Sequence, residues 1–237
     1  DIEIVHNGEK SLLKADDLVL AIGHSARDTY EMLYRKGVPL KQKPFAVGVR
    51  IEQLQETINK IQYKKSYLSP YLKAASYKLA VKTKEGRGVY TFCMCPGGVV
   101  VPSMNEEGQL CINGMSYYAR DGKNANSAIL VNVQTSDFAS DHPLAGIEFQ
   151  RTLERKAFEL GGGSYHAPVQ LLKDYFHNCK TTQLGAVKPT YQPGIQFADI
   201  NELFPDFINR NLKEGLFIMN QKMKGFIDDD TIITGIE

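Results

Sequence analysis

An α+β fold, a mixed β-sheet domain followed by a helical part, is what this sequence predicts. Three observations carry that prediction. Strand-like runs crowd residues 77–134, separated by the turns Glu85-Gly86-Arg87-Gly88, Pro96-Gly97-Gly98 and Glu106-Glu107-Gly108. From residue 143 the apolar positions 144, 147, 149, 153, 157 and 160 switch to helical spacing. The 237 residues are 43% hydrophobic and 23% charged, enough apolar material to bury a sizeable core.

The elements follow in chain order. Residues 2–6 and 11–13 flank Asn7-Gly8, a type I′ hairpin signal because both residues tolerate positive φ. The uninterrupted apolar run 18–22, closed by Gly23, reads as a strand buried on both faces. Ser25 is placed to cap a helix over 26–36, with Gly37 as the residue that ends it. A second long strand is expected at 44–52 and a helix at 53–63, followed by a Lys-, Ser- and Tyr-rich surface excursion over 64–75. Strands are expected at 77–83, 89–95, 98–103, 109–115 and 127–134. Helices follow at 143–160, ended by Gly161-Gly162-Gly163, at 169–176 and at 203–224, with a long loop over 178–195. There is no internal repeat.

Composition excludes several functions. A net charge of +1, with no basic cluster longer than Lys60, Lys64 and Lys65, argues against nucleic-acid partners. Apolar runs reach only strand length, so a membrane span is not expected and a cytoplasmic location is the default. Four cysteines are too few for a disulfide scaffold and lack the paired spacing of a zinc site, so no metal is expected.

The residues that could carry chemistry form three groups. In Cys93-Met94-Cys95-Pro96-Gly97-Gly98 both thiols would share one strand face, either as small core residues or as the wall of an active site. Asn113, Ser116, Tyr117, Tyr118, Arg120, Asp121, Asn124 and Asn126 cluster amides and a guanidinium, suited to a carboxylate or phosphate or simply to a self-satisfied turn. His24 and Arg27 adjoin the strand-end Gly23, while His6, His142, His166 and His177 read as loop or surface residues. Arg50 and Glu52 lie on one strand face, where they would pair with each other.

The start of the chain resembles the end of the FAD-binding region in two-dinucleotide-binding-domain flavoproteins. There a small β-meander leads into a strand closing on an Ala-Thr-Gly-like turn, here Ala21-Ile22-Gly23. The stretches Ala21-Ile22-Gly23-His24-Ser25-Ala26-Arg27, Lys43-Pro44-Phe45-Ala46-Val47-Gly48-Val49-Arg50, Phe92-Cys93-Met94-Cys95-Pro96-Gly97-Gly98 and Asn113-Gly114-Met115-Ser116-Tyr117-Tyr118-Ala119-Arg120-Asp121-Gly122 are similar to a bacterial family of uncharacterised FAD-dependent or NAD-utilising dehydrogenases. Gln53 departs from that family, which often has His there. The resemblance covers nearly the whole chain and implies FAD in the full-length parent, NAD(P)H as a candidate reductant, and a small-molecule substrate it does not identify.

It also implies a G-x-G-x-x-G strand–turn–helix before this segment and a second glycine motif after it, neither of which occurs between Asp1 and Glu237. With Asp1 opening directly into a strand-like run and a β-branched end at 231–236, the chain reads as an internal piece of a flavin oxidoreductase, inactive by itself. Residues 1–23 would be a remnant of a Rossmann-like FAD-binding domain, and the rest of that domain would be its partner. Residues 24–237 would be the substrate-side domain, β-rich to about 135 and helical after about 143. The candidate catalytic residues are His24, Cys93, Cys95 and Arg120. The candidate cofactor contacts are Gly23, His24, Ser25, Arg27, Gly97, Gly98, Asn113 and Ser116. The alternatives are a self-standing ligand-binding or interaction domain, or a thiol redox or metal protein built on Cys93 and Cys95.

Overall fold

In the computed structural model, which describes residues 1–237, the chain divides after Pro39 into two units, beyond Gly23 where the sequence suggested a boundary. In the first, β1 (Ile2–His6) and β2 (Glu9–Leu13) pair antiparallel and close from His6 to Glu9 over Asn7 (φ 50°) and Gly8 (φ 83°). This is the expected type I′ hairpin. The run 18–22 departs from expectation: it is not a strand, and Val19 is 86% exposed. A buried parallel strand needs a neighbour on each side. Within this unit β1 and β2 pair with each other instead. Helix α1 (Arg27–Arg35) begins without a side-chain cap, because the cap position falls on Ala26; Ser25, one residue earlier, places its hydroxyl 3.3 Å from His24 Nδ1. Gly37 (φ 78°) ends it as expected.

The second unit, Leu40–Glu237, holds β3 (Phe45–Leu54), α2 (Gln55–Tyr63), β4 (Ala80–Lys82), β5 (Gly88–Cys95), β6 (Gly98–Pro102), β7 (Ile112–Ser116) and β8 (Asn124–Val133). It continues with α3 (Ala145–Leu160), β9 (Ala167–Leu171), α4 (Leu172–His177), β10 (Ile195–Phe197), α5 (Asp206–Lys222) and β11 (Ile232–Gly235). Seven strands make one mixed sheet in the order β10-β9-β11-β3-β8-β5-β4, with β10 and β9 parallel and the other neighbours antiparallel. Strands β6 and β7 form a separate antiparallel ribbon.

The mixed α+β architecture is the one expected, but the part after residue 143 is not purely helical. Residues 169–176, expected as one helix, split between the end of β9 and α4. A buried five-residue strand running straight into a six-residue helix gives neither period room to declare itself.

Alternation along β3 decides what each face of the sheet does. Val47, Val49 and Ile51 point to one side and join Ile129, Val131, Val89 and Ile233 in the main core, with Ile58 of α2 and Ile208, Leu212, Leu216 and Met219 of α5. Gly48, Arg50 and Glu52 point to the other. That second face is polar yet closed: Arg50, Glu52, Asn126 and Thr234 are all fully buried. Buried polar groups cost free energy unless they are paired, so their partners determine whether this face is scaffold or site.

Candidate functional site

Arg50 stands at the centre of the polar face. A guanidinium has five N–H donors, and here each finds an acceptor. Nε and Nη2 grip the two carboxylate oxygens of Glu237, the latter at 2.6 Å. Nη1 donates to Asn126 Oδ1 (2.6 Å) and to the Cys93 carbonyl (3.3 Å), and Nη2 also reaches Asn113 Oδ1 (3.3 Å). Four strands and the chain end thus converge on one cation: β3, β5, β7, β8 and the residues just past β11. Burial pushes the Glu237 carboxyl above its ordinary range against the pull of Arg50, so the charge on Glu237 depends on this partner. Gly114 of β7 lies directly over the group. A Cβ there would overlap Arg50 Nη1 and Asn126 Oδ1, so only a glycine lets the ribbon close on the guanidinium.

Glu52 does not pair with Arg50, contrary to the sequence reading. Its carboxylate accepts from Asn124 Nδ2 (2.9 Å) and from the Thr190 hydroxyl (2.7 Å), and burial holds its pKa above the usual value. Thr190 belongs to the loop expected at 178–195, which lies on this face and also receives the Val100 amide through its hydroxyl. Two buried atoms between these groups have no partner: Asn126 Nδ2 and Thr234 Oγ1. Thr234 is the cross-strand neighbour of Arg50, and Asn126 is that of Glu52. Gln53, on the opposite face, is tied to Tyr77 and to the Phe226 carbonyl and serves the core.

The two cysteines do not share a face. A bulge interrupts the β5–β8 register between Phe92 and Cys95, and Cys93 takes φ 42° within it. The extra residue breaks the alternation: Cys93 is exposed while its carbonyl turns inward to Arg50, and Cys95 is buried. Burial raises the Cys95 thiol pKa, opposed by Arg50, whose Nη1 lies 4.0 Å from the sulfur. At neutral pH Cys95 is therefore a thiol.

Next to the bulge, the turn at Gly97 and Gly98 meets the 117–122 loop backbone to backbone. Gly122 N donates to Gly97 O (3.2 Å), and a Cβ on Gly97 would strike the Arg120 carbonyl. Gln55 Oε1 receives the Gly97 amide (2.8 Å), and the Ser116 hydroxyl reaches the Pro96 carbonyl (2.8 Å). Arg120 (φ 54°) is held at the crest of this loop between two open clefts of about 570 and 580 Å³. Cys93, Cys95, Gly97, Gly98, Asn113, Ser116 and Arg120 thus lie in one neighbourhood of the second unit.

Gly23, His24, Ser25 and Arg27 lie in the first unit. Gly23 (φ 75°) accepts a hydrogen bond from the Tyr30 hydroxyl at 3.0 Å, and no atom comes within 4 Å of where its Cβ would stand. Its glycine character is conformational rather than a close approach. Arg27 is buried at the start of α1. No group of three or more His, Cys, Asp or Glu could hold a metal ion, and no helix is long and apolar enough to cross a membrane.

The sequence reading passed over Glu237 and Thr190, and named Asn126 only as one of a cluster of amides. Asn124 and Asn126, two polar residues spaced by two at the start of a β-branched and aliphatic strand, were the available signal. Glu237 is 187 residues from Arg50 and left none.

Two comparisons bear on this arrangement. A family model described as "FAD-dependent protein, C-terminal domain-like" matches residues 44–237. An uncharacterized protein of Clostridium beijerinckii is 52% identical over 235 residues, a match that takes in 99% of this chain and 44% of the relative. The chain therefore spans less than half the length of that relative.

Proposed function

The chain belongs to the FAD-dependent protein, C-terminal domain-like family, and from that premise we propose that it forms the substrate-side wall of a flavin oxidoreductase. The observation that carries this reading is the buried Arg50–Glu237–Asn126 cluster beneath exposed Cys93 and Asn113. A largely buried ion pair is a poor device for stability, since apolar residues of similar volume do as well or better. Its value is to hold a charged, hydrogen-bonding surface rigid. Asn126 Nδ2 and Thr234 Oγ1 lie buried beside it with no partner in the chain.

The FAD diphosphate does not fit this chain. Dinucleotide cofactors set their diphosphate on a helix N-terminus that follows a glycine-rich turn. Here every helix carries its own carboxylate in the first turn: Asp28 in α1, Glu56 in α2, Glu148 in α3, Asp174 in α4 and Asp206 in α5. Each positive helix end is already met by an anion. In our reading residues 1–23 complete an FAD-binding domain supplied by the rest of a longer protein, and the exposed apolar run 18–22 gains its sheet neighbours there. The finer expectation is a dehydrogenase with NAD(P)H as reductant.

The test compares this chain with a full-length protein of the Clostridium beijerinckii type. Flavin absorbance and NAD(P)H oxidation are expected in the latter, and Arg50→Met should lower its turnover. Stoichiometric FAD bound to the 237-residue chain alone would overturn the proposal. The second reading, a ligand-binding domain without catalysis, is favoured by the two clefts beside Arg120 and would be left standing if no flavin were found in the full-length protein.

A further inference from the structure

The clefts on either side of the 117–122 loop share Ala74, Ala119 and Arg120 and lie within the size range of small-molecule sites. Their chemistry is one-sided. Lys73, Arg120 and Lys123 line them, and none of the three side chains has a hydrogen-bond or ion-pair partner in the chain. Of the two carboxylates present, Glu56 is taken by Lys60 at 2.6 Å, which leaves Asp121 alone and an excess of about two positive charges. Two aromatic rings, Tyr117 and Tyr118, complete the second cleft, and Tyr118 is fully exposed.

The crest is also fixed. Arg120 sits at φ 54°, a conformation that costs a non-glycine residue on the order of 1 kcal/mol. The contact of Gly97 and Gly122 maintains it, since a side chain on either would strike backbone. A guanidinium on a fixed backbone with two ammonium groups beside it matches an anion bearing close to two charges, and unburied rings match a flat partner.

We propose that this double cleft binds a phosphomonoester carried on a flat ring, the phosphate on Arg120, Lys73 and Lys123 and the ring on Tyr117 and Tyr118. The inference rests on the surface of the second unit alone and does not require the flavin reading.

Titration calorimetry of the 237-residue chain against AMP tests it, with inorganic phosphate, adenosine and benzoate as the other arms. AMP should bind more tightly than any of the three. Raising salt should weaken it, and Arg120→Ala should weaken it about tenfold or more. Tyr118→Ala should reduce AMP binding while leaving phosphate binding unchanged. Both side chains are exposed, so the variants should keep the parent circular dichroism spectrum. Equal affinity for AMP and adenosine, AMP affinity unaffected by Arg120→Ala, or benzoate matching AMP would each overturn the proposal. Flavin content of the full-length protein is a separate readout, so the two readings fail separately.

Discussion

Replacing Arg50 by Met removes a donor set that five acceptors depend on. The Glu237 side chain is 13% exposed, so its carboxylate would be left with little water and no counter-charge. Asn126, whose Nδ2 is already unpaired, would lose its other contact, and the Cys93 carbonyl would lose its inward donor. Breaking a buried ion pair from one side costs about 3–5 kcal/mol. A domain holds on the order of 5–15 kcal/mol in total, so the variant should fold but with a much lower denaturation midpoint. Urea unfolding followed by far-ultraviolet circular dichroism measures the loss. Glu237→Gln should cost less, about 1–3 kcal/mol, because an amide still offers one oxygen to the guanidinium. The double variant should be more stable than the sum of the two losses predicts by about 2 kcal/mol, the signature of direct coupling. Single losses under about 1 kcal/mol, or additivity within about 0.5 kcal/mol, would refute the assignment of Arg50 as the centre of the polar face.

Gly114→Ala should reproduce part of that loss, about 1–3 kcal/mol by thermal melting, because the Arg50 side chain it strikes is held on every side; an unchanged melting temperature would mean that the ribbon can move away. Cys93 should react with iodoacetamide at least about tenfold faster than Cys95, read by peptide mass mapping, since one thiol is exposed and the other is buried and protonated. Equal rates would remove the bulge from the account. The Arg87 guanidinium grips Asp137 through two 2.7 Å bonds and holds that carboxyl below its ordinary 3.8. The pair's contribution is therefore complete above 3.8 and lost as pH falls through the lower folded value. Asp137→Asn should flatten stability against pH in that acid window, and a slope equal to the parent's would contradict it.

How much of this was legible depended on the range of the interaction. The alternation of Val47, Val49 and Ile51 against Arg50 and Glu52 is visible in six letters, and it correctly separates the two faces of β3. The hairpin at Asn7-Gly8 and the glycine after α1 were equally local. The partners of those polar residues were not. Arg50 meets Glu237 and Glu52 meets Thr190 only through the order of strands, which no local pattern encodes. Cys93 and Cys95 were misread because one inserted residue reverses a period of two. The run 18–22 has the composition of a buried strand, but composition says nothing about where its neighbours are. For the candidate site, the sequence identified the neighbourhood around residues 93–120 but not the ion pair beneath it.

Strand β11 fills the gap between β3 and β9, joining residues 49–52 to residues 232–235 near the middle of the sheet. During synthesis the ribosome releases β3, β8, β5 and β4 long before the piece that links them to β9 and β10 exists. Until then the nascent chain presents two raw edges, one at Ile51 and one at Val169, each able to pair with the wrong strand. Closure must bring together segments separated by nearly the whole unit, the slow kind of step in β-rich chains. Loss of residues 231–237 would therefore leave two half-sheets, a substrate for chaperones or for aggregation.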